Sequence, residues 1–475
     1  MPVWEFSFTI KQFVLDFAVV SLLLVGATVA RSRIPVLQRF LIPANLIAGF
    51  LGLILGPELL RWIEFSPERM GVYVYHLLAL TFIGIGLKRT GGRTVGAIHI
   101  GFIKVLTFVI QALIGLIVAL FFLWLISPNL VPAVGILLPL GFGMGPGIAF
   151  SIGQSWEAHG FAEAADIGLT LAAIGFLVAY ITGISVVNRG IHKGIATLRA
   201  DEAGTEFVRR GFAKNAPISV GSHNTFSSGT IDTLTFHFAL VGVVYLLAYG
   251  VVLGLEQLLT AADLTHEIPT LWSLNFVVAN LLALGVRKAV EVRQAGYMID
   301  DGTLRRITGL LADLLVAAAI MAISLKVTWQ YVGPIAVMCI VGAVATYFAI
   351  KWPVSRLFSQ YRFERTVGLY AEQTGTISSG LAMIRVTDPE FVTPVAQDQA
   401  LGSGAALALG FPLLIMINLP LVWYRGTLEG YFTMAGLLLL YLVALVVMWF
   451  IFTRRTAESL TGDLPVAATP GDSSA

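Results

Sequence analysis

The stretch "LPLGFGMGPGIAFSIGQ", Leu138–Gln154, sets Gly141, Gly143, Gly145 and Gly147 on alternate positions, with Pro146 between the last two. Its flanks are almost wholly apolar. Glycine and proline at this density break regular helix geometry. In a soluble protein such a stretch is a polar loop; inside a bilayer it strands backbone groups that only protein or trapped water can satisfy. Which solvent surrounds it therefore decides the fold.

Composition gives the solvent. Of 475 residues, 57% are hydrophobic and 12% charged, about half the charged share of a soluble domain. The mean hydropathy is +0.84. Runs of about 20 apolar residues, enough to cross a bilayer, recur at 12–30, 41–60, 73–87, 98–126, 165–187, 234–258, 269–286, 305–325, 331–350, 399–422 and 431–453. The chain reads as an all-α polytopic membrane protein. The opening MPVWEF carries Glu5 and no basic residue, so the first run is expected to be a retained helix rather than a leader. Cys339 is the only cysteine, so no intrachain disulfide can form.

Two further apolar segments, 132–151 and 366–384, are too rich in glycine to be ordinary spans. If the N-terminus is outside and both segments dip in and return on one face, most of the 30 Lys and Arg residues fall on the inner side. Only Lys11, Arg61, Arg69, Lys326 and Arg425 lie outside, and Lys104 and Arg385 lie within apolar segments. Making either segment a full crossing destroys that asymmetry. The expectation is eleven spans and two re-entrant hairpins.

The polar stretch 188–232 divides the chain. On each side come two spans and a third ending in similar residues ("IGLK", Ile85–Lys88; "ISLK", Ile323–Lys326). A fourth span, a Gly-rich segment and a fifth span follow. Five crossings per half invert the second half relative to the first, a common plan of secondary transporters with the site at the repeat interface. The expected organisation is a first repeat at 1–187, a cytoplasmic linker at 188–232, an inverted repeat at 233–425, an added helix at 426–455 and a disordered tail at 456–475.

The counterpart of the opening stretch is "YAEQTGTISSGLAMIRVTD", Tyr370–Asp388. Two such elements entering from opposite faces bring their tips together near the midplane. Helix starts and hydroxyls there favour an anion; freed carbonyls favour a cation. The candidate substrate-binding residues are Gly141, Gly143, Gly145, Gly147, Ser151, Thr374, Gly375, Thr376, Ser378, Ser379, Gly380 and Arg385. Arg385 is the candidate anion anchor, because a guanidinium grips a carboxylate bidentately; its alternative is to snorkel or to pair with Asp388 or Glu390. Asp313, Glu372 and Asp388 are the candidate Na⁺ ligands. The plainer alternatives are close helix packing for the glycines and bonds to their own backbone for the hydroxyls.

The run "GFGMGPGIAFSIGQSWEAHGFAEAADIGLTLAAIGFLVAYITG" (Gly141–Gly183) resembles the sodium/glutamate symporter family in its first hairpin and following span. "IPANLIAGFLGLILGPE" (Ile42–Glu58) and "TFIGIGLKRTGGRTVG" (Thr81–Gly96) are similar to that family's second and third helices. The likeness covers most of 35–190 and, more loosely, 300–420. It implies a dimeric, sodium-coupled uptake protein of two repeats, moving its substrate by an elevator motion in a bacterial inner membrane. The chain departs from the family's glutamate carriers at Met144, Pro146 and Gln373–Thr374–Gly375. L-Glutamate is the leading substrate, with Na⁺ as coupling ion, no organic cofactor and no nucleic-acid partner. A proton-coupled or exchange carrier for di- or hydroxycarboxylates is the alternative. An intramembrane enzyme is the remote one: no HExxH, GxGD or comparable motif is present.

Overall fold

The computed structural model describes residues 9–89, 95–196, 222–227, 229–388 and 393–462. Arg93, most of the expected 188–232 linker, Glu390 and the tail from 463 lie outside the described residues. Among those described, every regular element is helical and no strand is present.

The helices are α1 (Ile10–Arg33), α2 (Pro35–Arg39), α3 (Ala44–Leu55), α4 (Pro67–Gly86), α5 (Val95–Leu125), α6 (Ala133–Pro139), α7 (Pro146–Ala158) and α8 (Ala164–His192). Then follow α9 (Thr233–Ala261), α10 (Ile268–Ser273), α11 (Asn275–Val292), α12 (Asp301–Met321), α13 (Leu325–Gln330) and α14 (Val332–Leu357). The last are α15 (Arg362–Gln373), α16 (Ile377–Thr387), α17 (Val395–Met416), α18 (Leu419–Val422) and α19 (Leu428–Gly462). Side chains set several starts. Thr9 and Gln12 form a capping box on α1, Ser66 caps α4, Asp232 caps α9 and Asp300 caps α12. Each satisfies N–H groups that have no partner inside the helix.

Eight helices among the described residues are long and apolar enough to cross a membrane, and the bent pair ending in α11 makes up to nine. This is a multi-pass membrane protein. Four of the expected spans differ. The run at 41–60 yields only α3, whose 12 residues reach about 18 Å against a hydrocarbon core of about 30 Å. The run at 305–325 yields α12, long enough but carrying Arg305, Arg306 and Asp313. The run at 269–286 is two helices meeting at 60°. The last helix continues to Gly462, past the expected end at 453.

The packing is reciprocal. α1 lies on α3 as α9 lies on α11; α3 lies on α12 as α11 lies on α4; α4 meets α12, and α5 meets α14. Small residues set the closest approaches. A Cβ on Gly115 of α5 would run into the carbonyl of Gly135 on α6, and one on Gly135 into that of Gly115. The outer helices α1, α9 and α19 keep most of their apolar surface outward. Such faces suit lipid.

Candidate functional site

Both Gly-rich segments are helices interrupted at one point. In the first, α6 passes into a five-residue π-helical turn, Leu140–Met144, and stops at Gly145. Gly145 sits at φ +91° and ψ 171°, a conformation that residues with a Cβ rarely adopt. Pro146 then opens α7, where its fixed φ suits a first turn and its missing N–H is not needed. In the second segment α15 ends at Gln373, and α16 starts after Thr376, which forms a capping box with Ser379.

The two interruptions meet. A Cβ on Gly145 would lie 3.2 Å from the Thr376 methyl. Gly175 of α8 fits against both segments at once: a Cβ there would run into the Thr374 carbonyl and lie 3.0 Å from Phe142. Gln111 of α5 ties them further. Its Nε2 donates to the Gln373 carbonyl (2.9 Å) and to Thr346 Oγ1 of α14 (2.8 Å). Its Oε1, 3.0 Å from where a Cβ on Gly143 would be, is buried with no hydrogen-bond partner. Gly145 is buried, Gly143, Met144, Thr376 and Ile377 are half-buried and Ser378 is exposed, so the meeting point borders accessible surface, called the opening below.

This geometry brings two helix starts, those of α7 and α16, to one place inside an apolar bundle. Both starts carry N–H groups without intrahelical acceptors and the positive end of a helix dipole. Asp313 accepts from Asn45 Nδ2 of α3 at 2.7 Å.

The candidates divide as follows. Gly145, Thr376 and Ser378 are at the opening, with Gly143 beside them. Gly141 packs on Leu171 and Ala172, and Gly147 on Leu78 and Leu315, so close helix packing accounts for both. Gly375 lies against Ser379, and Gly380 against Gln399 and the Gly368 carbonyl. Thr374 donates to the Tyr370 carbonyl (2.9 Å), and Ser379 Oγ accepts from the Thr376 N–H (3.0 Å). Ser151 donates to the Ser273 carbonyl (2.7 Å), away from the opening. Arg385 is exposed in the last turn of α16, about 12 Å along the axis from that helix's start, and so is not gathered with the breaks.

The three acidic candidates do not come together. Asp313 is held by Asn45. Asp388 is buried and accepts from Thr393 N–H (2.9 Å) and Oγ1 (2.6 Å) beyond the end of α16. Glu372 forms a buried ion pair with Lys104 of α5 at 2.5 Å. Among the described residues no group of three or more His, Cys, Asp or Glu side chains is placed to hold a metal ion. A monovalent cation would have to draw on carbonyls, hydroxyls and amides such as Gln111 Oε1.

Lys104 and Gln111 were not picked out from the sequence as partners of the breaks. The signal was there: Lys104, Thr107 and Gln111 fall at i, i+3 and i+7, one face of an otherwise apolar 31-residue helix. A second buried pair, Arg365 Nη2 to Asp398 Oδ2 at 2.7 Å, joins α15 to α17 near its start. The Arg365 guanidinium stacks over Phe358 at 4.1 Å. No protein-family model matches the chain, and no curated protein matches it in sequence.

Proposed function

We propose that this chain is a secondary active transporter for a small carboxylate, with L-glutamate the first substrate to test and Na⁺ the coupling ion. The observation that carries this is the contact of Gly145 with Thr376, which sets two helix starts against one opening within an apolar bundle. Interrupted helices converging near the midplane are how such carriers hold anions and ions without a continuous pore. An enzyme would need a nucleophile, a metal set or an acid–base pair at the opening, and the three acids are engaged separately.

In this proposal α6–α7 and α15–α16 are re-entrant hairpins from opposite faces, and the reciprocal packing of α3 on α12 and α11 on α4 belongs to an inverted repeat. Eleven crossings follow if α3 and α12 each count as one. L-Glutamate, Na⁺, an elevator motion, a homodimer and a bacterial inner membrane come from the family resemblance. One observation favours a second reading, proton coupling: Glu372 already has Lys104 as its counter-ion.

The test is a thermal-unfolding screen of the purified protein against L-glutamate, L-aspartate, succinate and citrate, in NaCl and in choline chloride. A ligand of the native state raises the apparent midpoint. A shift with L-glutamate that needs Na⁺ supports the proposal in full. A shift with another acid alone moves the substrate, and no shift with any acid removes the binding site.

A further inference from the structure

Lys104 and Glu372 are both buried, at 1% and 6% exposure, and their pairing is saturated in an uneven way. The Lys104 ammonium has three protons to give. They go to Glu372 Oε1 (2.5 Å), the Gln399 carbonyl (3.0 Å) and Ser403 Oγ (2.6 Å). Ser403 Oγ in turn lies 3.2 Å from Glu372 Oε1. Every contact of the carboxylate falls on Oε1, and Glu372 Oε2 is buried with no partner. A buried acceptor left open is costly. It is also the one atom of the cluster that can take a proton while Lys104 keeps all its bonds. Ser403 is half-buried, which gives the cluster an edge at the surface of α17.

We propose that the Lys104–Glu372 pair is a proton site coupled to anion binding at the breaks. Glu372 lies two residues before Thr374 and four before Thr376. With the carboxylate ionised the pair is neutral and the opening sees no net charge. When a proton from water adds to Glu372 Oε2, the carboxyl becomes neutral and the Lys104 charge is left uncompensated behind the opening. An anion there then offsets it. Binding of either species favours the other by the same factor, and in this proposal one proton accompanies each anion bound.

The surroundings leave this charge unshared. On α5 the charged neighbour is Lys104 itself, with His99 nearer the helix start. On α15, Arg365 lies seven residues before Glu372 and pairs with Asp398 of α17, with Glu364 beside it. α17 otherwise presents Gln399 and Ser403, α16 presents Ser379, and Tyr370 of α15 meets Thr182 of α8 and Tyr347 of α14.

The inference rests on the carrier reading, and one experiment separates the two. The full-length protein is reconstituted in liposomes with equal Na⁺ on both sides. Counterflow is measured with labelled L-glutamate, L-aspartate, succinate and citrate, and the acid that exchanges is used thereafter. With one pH unit, acid outside, the wild type is expected to accumulate that acid about tenfold. Glu372→Gln, a neutral mimic of the protonated carboxyl, is expected to lose the gradient response while counterflow remains measurable. Lys104→Met/Glu372→Met, which removes both charges together, should also ignore the gradient and keeps the test open should the single variant fail to fold. A gradient response that survives in either variant, or is absent from the wild type, overturns the proton site and leaves the carrier standing. No counterflow with any of the four acids overturns both.

Discussion

Gly145 and Thr376 face each other across the two interrupted segments: a Cβ on Gly145 would press on the Thr376 methyl, and its positive φ disfavours any side chain there. Gly145→Ala places a Cβ 3.2 Å from Thr376 Cγ2 at φ +91°, in backbone that disfavours it by about 1–3 kcal/mol. The expected result is a lower midpoint of thermal unfolding and loss of any stabilisation by a carboxylate ligand. A variant with the wild-type midpoint and ligand response would mean that the breaks do not define the site.

The buried pair makes a stability prediction of its own. Lys104→Met leaves the Glu372 carboxylate buried without its counter-ion and should destabilise by about 3–5 kcal/mol, whereas replacing both residues by Met should be close to neutral. Unfolding midpoints of the single and double variants in one detergent check this. A double variant that loses as much as Lys104→Met would contradict this.

Helix contacts through glycine should be unequal. Gly115→Ala drives a methyl into the Gly135 carbonyl and must part α5 from α6, while Gly250→Ala on α9 meets nothing within 4 Å. The first is expected to cost about 1–3 kcal/mol as overpacking. The second should be neutral or slightly stabilising, since alanine favours helix over glycine. Similar midpoints for both would argue against the α5–α6 contact.

Glu157, in the last turn of α7 and beyond the apolar segment, is a pH prediction. Burial pushes its carboxyl up to about 8, offset by hydrogen bonds from Ala165 N–H and Gln154 and reinforced by nearby Asp166 and Glu163. The unfolded group titrates near its ordinary 4.5. Between these values the folded protein holds the extra proton, so stability falls as pH rises through that window. The midpoint should decline between pH 5 and 8, and Glu157→Gln should flatten the decline. Identical slopes in the two proteins would exclude this group as a source.

The sequence announced the breaks because their chemistry is local: glycine, proline and hydroxyl residues interrupt a helix wherever they cluster. It also showed the all-helical, multi-pass character, carried by hydropathy. What it could not show depended on distant partners. Glu372 looked like an ion ligand because its counter-ion, Lys104, is 268 residues away. Thr376 and Ser379 looked like ligand hydroxyls, but both also serve the capping box that starts α16. Arg385 stood inside an apolar run, yet the helix starting at Ile377 carries it to an exposed end. Span length failed at 41–60 because Gly56–Pro57 ends α3 early, a stop that a hydropathy window averages away.

Uptake into liposomes tests the central claim most directly. Purified full-length protein should accumulate labelled L-glutamate, or another acid found by the stability screen, above protein-free liposomes when a Na⁺ or proton gradient points inward. Accumulation should stop when both gradients are collapsed. Uptake equal to protein-free liposomes for every acid and both gradients would contradict a carrier built around Gly145 and Thr376.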